Sequence, residues 1–501
     1  MDRNTFIKDQ SFIINLILPL MGISDKDIDY VRKHTSFVKE EILPISNSVK
    51  NDSNKNCFLE DSKTIKVRSY NDKLEKGLLS IQFEEPIEKD DFKLFKYLFD
   101  CYCLYGGGKE AFKINNAFIN ENINELILQK GLISYLINDT NFKNQHIDNL
   151  IKCLQRWSEK TYEGHNVCYG FLINLNSNDK NYYKNKSKSY GDFVDFIGEE
   201  YSAVFTDGIT SVVEIDKDCN FIEYKSILHA SSPLPNNLHN VYLPIRFAQI
   251  IYENVDKDTV GLFLLTNGDI ILAKNKMISF VKRGGRWLNF SQKSFYDIIS
   301  DYVGKNETLK TIIQSVYCSC LDISFAHSGG LIAIVDTNKE KWKNDISRED
   351  KPVVTNLDTL SDDDFNSFPE VLDHIYEKES YKIKTTNEGQ ETIINGLLTD
   401  LKKRLTKKRY LLQILKDNTY FPKIDRKLRA DLSGLDGAMI IDMNGNIVAC
   451  GAIIANEAGS SGGGRGSAAR TLSKYGGFAI KISTDGYIEA FYDGARIYAI
   501  K

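Results

Sequence analysis

Two tight β-hairpins near the C-terminus constrain the fold of this 501-residue chain more than any other feature. In DGAMIIDMNGNIVACGAII, apolar runs flank an Asn-Gly pair at Asn444 and Gly445, and in FAIKISTDGYIEAFYDG they flank an Asp-Gly pair at Asp485 and Gly486. Such pairs favour short hairpin turns because they tolerate a positive φ. The sequence therefore predicts two hairpins in succession, joined by a connection that contains a helix.

The connection between the hairpins, GSSGGGRGSAAR at 459–470, is rich in glycine and leads into the predicted helix. Ser467 is the predicted N-cap, and Gly476 or Gly477 is a candidate for the left-handed residue that ends the helix. A glycine-rich loop before a helix N-terminus offers free backbone N–H groups to a phosphate, and Arg465 adds a fork of donors. A flexible connection that binds nothing is the alternative.

Two familiar phosphate-binding motifs do not fit this loop. A P-loop requires a lysine and a hydroxyl residue where this chain has Arg465 and Gly466, and a Rossmann motif requires a βαβ unit around the loop.

One hairpin upstream, Asp436 in LDGAMIID precedes a predicted buried strand. We interpret Asp436 as a candidate carboxylate for a divalent cation, with a plain turn residue as the alternative.

The hydrophobic pattern along the chain predicts an α+β protein (α/β in the broad sense) with three regions. Residues 1–155 have helical periodicity, and residues 156–298 have the alternation and turn signals of an antiparallel β-rich module. Residues 299–501 form the predicted nucleotide-binding region, with an acidic insertion at about 340–390 and a further helix at 391–415. Within this pattern the sequence gives no indication of an internal repeat.

Composition and charge exclude several classes of protein. The 64 Lys and Arg against 68 Asp and Glu give a net charge of -4, so no basic field attracts nucleic acid. The apolar run at 12–23 is too short to span a membrane and predicts a core helix, with peripheral membrane contact as the alternative. The nine cysteines lack a CxxC pair and predict reduced thiols in a cytoplasmic protein. Metal binding by Cys101 and Cys103, or by Cys318 and Cys320, is the alternative.

Four segments in order, GGLIAIV, LDGAMII, GGGRGSAARTLSKYGG and IST, resemble the diadenylate cyclase domain, which joins two ATP molecules into cyclic di-AMP. The similarity extends over roughly residues 300–501 and implies a mixed β-sheet flanked by helices. It implies that Asp436 positions Mg²⁺ or Mn²⁺ and the attacking 3′-hydroxyl, and that Arg465 binds phosphate. The other nucleotide-binding positions that it implies are Gly437, Ala438, Gly463, Gly464, Gly466, Ser467, Ser483, Thr484 and Asp485.

This chain departs from the cyclase motifs at several positions. Gly466 replaces a histidine, Ser467 replaces a second arginine, and Asp485 replaces a glutamate. Arg470, further along the helix, is a candidate to replace the missing arginine. The resemblance also implies that two protomers, each with one ATP, face each other during catalysis. A nucleotide-binding regulator without turnover and a scaffold that binds no nucleotide are the competing hypotheses.

The β-rich region around LLTNGDIILAKNKMISFVKRGGRW also resembles the sensor modules that precede cyclase domains. This resemblance does not indicate which ligand the module would bind. Arg283, Arg286 and Trp287 are predicted to pack a hairpin together, with anion binding as the alternative. His327, in FAHSGG, is predicted to cap or pack the end of a helix.

Overall fold

The computed structural model describes residues 10–39, 57–70, 76–105, 117–142, 145–176, 197, 202, 204–227, 241–290, 295, 299, 306–338, 415, 420–454 and 463–500. The chain divides into a first unit, residues 1–302 with 497–501, and a second unit, residues 303–496. The predicted acidic insertion, nearly all of the predicted helix at 391–415 and the start of the glycine-rich loop lie outside the described residues. Among the residues described, no helix is long and apolar enough to cross a membrane.

The first unit contains most of the described helices. They are α1 (Asp25–His34), α2 (Lys89–Tyr105), α3 (Ala117–Ile137), α4 (Gln145–Ser158) and α5 (Ile245–Asn254). The apolar run predicted as a core helix is helical from Ile13 to Leu20, and nearly all its apolar side chains are buried. That prediction is confirmed.

A small antiparallel sheet in the first unit was not predicted. It consists of β1 (Ser36–Lys39), β2 (Cys57–Leu59), β3 (Thr64–Tyr70) and β4 (Lys76–Gln82), in the order β1-β4-β3-β2. In β3, Ile65 and Val67 are buried and alternate with more polar residues, which is the period of a strand. The helical pattern of the neighbouring segments masked this short alternation.

A seven-stranded sheet forms the β-rich part of the first unit. After a small hairpin of β5 (Thr161–Tyr162) and β6 (His165–Asn166), its strands are β7 (Tyr169–Asn174), β8 (Ser211–Asp216), β9 (Phe221–Ser226), β10 (Thr259–Leu264), β11 (Ile270–Lys274), β12 (Met277–Arg283) and β13 (Arg286–Asn289). The order is β13-β12-β11-β10-β7-β8-β9. The β7–β8 pair is parallel, so the prediction of an antiparallel module is wrong at that pair. A crossover connection of more than 30 residues allows the parallel pairing.

The arginines of the β12–β13 hairpin have a structural role or face solvent. Arg283 is buried, and its Nε and Nη2 donate to Oδ2 of Asp269 at 2.9 and 2.7 Å. Trp287 is buried, whereas Arg286 is exposed. Because the Asp269 carboxylate already neutralises Arg283, the alternative of an anion site at this arginine is wrong.

The second unit is built on a six-stranded mixed sheet. Its elements are α6 (Glu307–Ala326), β14 (Gly330–Val335), α7 (Arg426–Ser433), β15 (Ala438–Asp442), β16 (Ile447–Ala452), α8 (Gly463–Ser473), β17 (Phe478–Ile482) and β18 (Ile488–Tyr492). The last strand of the sheet is β19 (Ala495–Ile500), which begins in the second unit and continues into the C-terminal segment 497–501 of the first. The order is β16-β15-β14-β17-β18-β19, with β14 and β15 parallel. The general α+β class is therefore confirmed, and so are both predicted hairpin turns.

Helix α8 covers one face of this sheet. Ala469 and Leu472 of the helix share a core with Leu331, Ala333 and Phe491 of the strands. Successive strand residues point to opposite faces, so the odd-numbered residues of β14 face α8. This packing fixes the start of α8 relative to the first residue of β14 and the last residue of β17.

Helix α6 ends one turn before β14, at a residue with a left-handed backbone. His327 is the C-cap, with φ of 51°, and its N–H bonds the carbonyl oxygens of Ile323 and Ser324. The prediction of a capping histidine is confirmed. Gly329, two residues later, also has a positive φ, of +68°.

Candidate functional site

One end of the six-stranded sheet brings together the segments that the sequence analysis singled out. Strand β14 begins at Gly330, which pairs with Ile482 at the end of β17. Strands β14 and β15 are parallel, so the start of β15, with Asp436 just before it, lies at the same end. We call this the site end of the sheet. Neighbouring strands lie about 4.8 Å apart, so Asp436 is two strand spacings, roughly 10 Å, from the end of β17.

Arg465 reaches the site end from the first turn of α8. A Cβ atom built on Gly329 would lie only 2.6 Å from Nη1 of Arg465 and 3.3 Å from both Cγ2 and N of Thr484. The guanidinium therefore occupies the space that Gly329 leaves by having no side chain. The end of α6, the start of α8 and the end of β17 thus meet at one arginine.

The Arg465 guanidinium has an unsatisfied donor. Its Nε is buried and has no hydrogen-bond acceptor within the part of the chain that the structure describes. A buried donor without a partner costs about 1–3 kcal/mol. An acceptor oxygen supplied by a ligand, such as a phosphate oxygen, would recover that cost and would add a charge-assisted bond.

Helix α8 begins earlier than predicted. It starts at Gly463, so Ser467 lies inside the helix, is buried, and is not the N-cap. The prediction placed the start too late because glycine has a low helix propensity, but that cost is modest. The first turn therefore contains Gly463, Gly464 and Arg465, whose backbone N–H groups lack intrahelical acceptors. A Cβ on Gly464 would meet no described atom within 4 Å, so this backbone is open to a ligand.

Lys481 is a cation near this turn that the sequence analysis did not select. A Cβ on the buried Gly466 would lie 3.8 Å from Nζ of Lys481, and the same Nζ lies 2.9 Å from Oε2 of Glu489. Lys481 follows the buried Ile480 in β17 and pairs with Leu331. A lysine between apolar residues in a predicted strand was the available signal.

In the Asp-Gly-Ala segment, Gly437 and Ala438 are required by the packing of the backbone and the core, whereas the side chain of Asp436 faces solvent. Gly437 has φ of +101°, and a Cβ there would lie 2.5 Å from the carbonyl carbon of Gly451, so only glycine fits. Ala438 is buried in β15. Asp436 is exposed, and no described residue donates a hydrogen bond to its carboxylate. The Asp436 carboxylate is thus available to a cation.

The three residues after β17 have different surroundings. The Ser483 hydroxyl accepts a hydrogen bond from the backbone N–H of Tyr487 at 3.1 Å, which holds the hairpin turn. Thr484 lies beside Arg465, as described above. Asp485 is exposed in the turn. The structure therefore brings Thr484, but not the Ser483 hydroxyl, to Arg465.

Arg470 does not reach the site end. Its guanidinium carbon lies 5.9 Å from the centroid of the Phe491 ring. Phe491 pairs with Ala479, which is three residues before Ile482 along β17. That separation is about 10 Å at 3.3 Å per residue. The hypothesis that Arg470 replaces the missing second arginine is therefore wrong.

The donor set at the site end fits a cation that arrives with a nucleotide. Within the described ranges, no group of three or more His, Cys, Asp or Glu side chains could hold a metal ion. Asp436 is the carboxylate closest in sequence to the start of β15. Magnesium is commonly held by one or two carboxylates together with substrate phosphates. Asp436 therefore fits a cation that is held jointly by one carboxylate and substrate phosphates. It does not fit a resident metal centre built from several described side chains.

Neither cysteine pair belongs to a group of three or more His, Cys, Asp or Glu side chains that could hold a metal ion among the residues that the structure describes. Burial raises the pKa of Cys101 to about 12 and the pKa of Cys318 to about 11, so both thiols are neutral at physiological pH.

Comparison of the chain with models of known protein families returned no match, and no curated protein matches it. The function is therefore inferred from the site end itself.

Proposed function

We propose that the second unit binds ATP at the site end and condenses two ATP molecules into cyclic di-AMP and diphosphate. The observation that carries the proposal is the Arg465 guanidinium, which lies against Gly329 and Thr484 and whose Nε has no acceptor among the described residues. The first turn of α8, where no described atom lies within 4 Å of a Cβ on Gly464, and the exposed carboxylate of Asp436 support it. A polyanion with a bound cation is the class of ligand that suits this combination.

Each feature has a role in this proposal. Arg465 and the first-turn N–H groups of α8 bind phosphate oxygens, and Thr484 lies next to them at Gly329. Asp436 holds Mg²⁺ or Mn²⁺ against the phosphates. A cation in that position supplies charge neutralisation and favours ionisation of the attacking 3′-hydroxyl. Because each protomer holds one ATP, two protomers face each other in the reaction, and the β-rich module of the first unit acts as the regulatory region.

A second candidate function is nucleotide binding without turnover. It is favoured by the burial of Ser467 inside α8 and by the position of Arg470 at the Phe491 ring. Neither residue supplies the second phosphate-binding cation that the cyclase motif contains. Losing one charge-stabilising donor typically slows a reaction by roughly 10²–10³-fold, so this candidate predicts tight binding with little product.

The two candidates are separated by one assay. The full chain at high concentration is incubated with ATP and Mn²⁺, and cyclic di-AMP is measured by mass spectrometry beside ATP binding by calorimetry. We expect product from the parent chain, no product from Asp436→Asn, and greatly weakened binding for Arg465→Ala. Arg470→Ala is the matched control, because this arginine of the same helix lies away from the site end.

Three outcomes decide between the hypotheses. Product that depends on Asp436 and Arg465 supports the cyclase. Binding that depends on Arg465 without product supports the regulator. Equal behaviour of Arg465→Ala and Arg470→Ala, or no binding at all, would leave the scaffold as the function and reject the proposal.

A further inference from the structure

The two large sheets of this chain have the same topology. In both, a helix precedes a central strand, the next strand pairs with it in parallel, and a hairpin adds the edge strand. On the other side of the central strand, an antiparallel meander follows a helix. The order β9-β8-β7-β10-β11-β12 matches β16-β15-β14-β17-β18-β19 strand for strand, and the first sheet adds only β13.

The strand registers are also the same. In each sheet the last residue of the central strand pairs with the aspartate that ends the next strand, and the first residue pairs with the last residue of the antiparallel neighbour. The equivalent pairs are Asn174–Asp216 and Val335–Asp442, and Tyr169–Leu264 and Gly330–Ile482. The register of the following hairpin shifts at the equivalent place, at Glu214/Ile215 in one sheet and Ile440/Ile441 in the other, and the second sheet has a further shift at Ala438/Ile440. Register shifts of this kind, as at β-bulges, are specific features, so this coincidence is informative.

The same side-chain device closes both edge hairpins. The Asp216 carboxylate accepts hydrogen bonds from the N–H of Asp218 and from the N–H and Nδ2 of Asn220, at 2.7–2.9 Å. The Asp442 carboxylate accepts from the N–H of Asn444 and from the N–H and Nδ2 of Asn446, at 2.8–3.1 Å. In both turns the asparagine is four residues after the aspartate.

The C-terminal half of each sheet aligns without an insertion or deletion. A constant offset of 218 residues superimposes 245–277 on 463–495, from the start of the helix to the second turn of the meander. Thr266, Gly268 and Ile270 are then equivalent to Thr484, Gly486 and Ile488. Both first turns have the same two backbone bonds, and both second turns consist of two residues with positive φ, at 275–276 and 493–494.

We infer that the first unit contains a second copy of the nucleotide-binding fold and that this copy has lost the site, so the chain binds one nucleotide and not two. The duplication rests on topology, register and turns, whereas the nucleotide count rests on the proposed function. The expectation of no internal repeat is therefore wrong. The sequence does not reveal the repeat because the two copies share geometry with almost no sequence identity.

The first copy lacks each group that would hold a phosphate or a cation. By register, Thr210 stands at the place of Asp436, Phe247 at the place of Arg465, and Cys168 at the place of Gly329. Phe247 is buried. The guanidinium and the space that accommodates it are therefore replaced together.

The carboxylate three residues before Thr210 in the first copy already accepts several hydrogen bonds. Asp207 accepts hydrogen bonds from the N–H groups of Ile209, Thr210 and Ser211 and from the Thr210 hydroxyl, at 2.6–3.0 Å. Partial burial opposes its ionisation, but these hydrogen bonds outweigh the burial and lower the pKa of Asp207. This carboxylate holds its own loop and is not available to a cation in the way that Asp436 is.

The stoichiometry of binding tests the inference on the full chain. An ATP analogue with a non-hydrolysable α,β-methylene bridge is titrated with Mg²⁺ by calorimetry and equilibrium dialysis. We expect one analogue per chain. Arg465→Ala should weaken binding about 10- to 100-fold, the range for one charged hydrogen bond. Thr484→Ala should weaken binding, and its matched variant Thr266→Ala should not.

The outcomes distinguish this inference from the proposed function. Two analogues per chain, of which one persists in Arg465→Ala and is lost in Thr266→Ala, would overturn the inference and leave the proposed function intact. No binding at all would reject the proposed function and the nucleotide count. The duplication would then be decided by a crystal structure of the full chain, in which different registers at Asp216 and Asp442 would overturn it.

Discussion

Gly329 makes room for the Arg465 guanidinium, so a single methyl group can test the site without removing a charge. In Gly329→Ala, the new Cβ would lie 2.6 Å from Nη1 and must displace it. The positive φ of +68° adds about 1–2 kcal/mol of backbone strain. We expect ATP affinity to fall at least about tenfold, because a displaced guanidinium loses a charge-assisted bond.

The control for this variant has the same backbone strain without the collision. Gly285 has φ of +83°, and a Cβ there would meet nothing within 4 Å. Gly285→Ala should lower the melting temperature and leave ATP affinity unchanged in the same titration. Equal affinities in the two variants would show that Arg465 does not bind the nucleotide.

Two buried arginines of α7 should respond differently to the same substitution to methionine. Arg426 is fully buried, and its Nε and Nη2 bind the Asp322 carboxylate at 2.7 and 3.0 Å. Arg426→Met leaves that carboxylate buried without its partner, so we expect a loss of about 3–5 kcal/mol in the free energy of unfolding.

Arg429 is also buried, but its Nε and Nη1 have no hydrogen-bond acceptor among the described residues. Burial lowers its pKa, which reflects the cost of the charge in this place. Arg429→Met removes that cost and should leave stability unchanged or increase it. Urea denaturation of both variants measures the difference, and a loss for Arg429→Met as large as that for Arg426→Met would contradict this expectation.

At the scale of one loop, the segment before β8 should be sensitive to acid through Asp207. The pKa of Asp207 is lower in the folded chain than in the unfolded chain, so its carboxylate stabilises the fold above its ordinary pKa near 4. That stabilisation is lost as the pH falls through the folded-state value. Asp207→Asn should therefore be less stable than the parent chain at pH 7, with a difference that shrinks towards pH 3.

Urea denaturation of the two chains at a series of pH values measures this effect. Asp436→Asn is the control, because its exposed carboxylate receives no hydrogen bond from a described residue. A stability difference between Asp207→Asn and the parent that stays constant with pH would show that the hydrogen bonds in this loop do not depend on the charge.

The local elements of the second unit were largely predictable, whereas the start of α8 and the role of Ser467 were not. Hairpin turns depend on two or three adjacent residues, so Asn444–Gly445 and Asp485–Gly486 carry their own signal. The start of α8 depends on packing of Ala469 and Leu472 against the sheet, which outweighs the low propensity of three glycines. The contact between Arg465 and Gly329 joins segments far apart in sequence, and only the assembled sheet brings them together.

At the scale of the whole molecule, nucleotide and cation should stabilise the chain only together. Asp436 belongs to no described group of three metal-binding side chains, so Mn²⁺ alone should not change the melting temperature. ATP with Mn²⁺ at about a hundred times the dissociation constant should add about 2.7 kcal/mol to the free energy of unfolding. Differential scanning calorimetry measures both, and a shift with Mn²⁺ alone would indicate a resident metal site.

The shared topology of the two sheets also bears on how the chain folds. While both copies are unfolded, each offers strands of suitable length and register to the sheet of the other, and strand exchange is a characteristic error of chains with repeats. Only three of the 33 aligned positions in 245–277 and 463–495 are identical, so an exchanged strand would bring the wrong side chains into the core. We expect that the divergence of the copies, which conceals the repeat in the sequence, keeps the two sheets from misassembling.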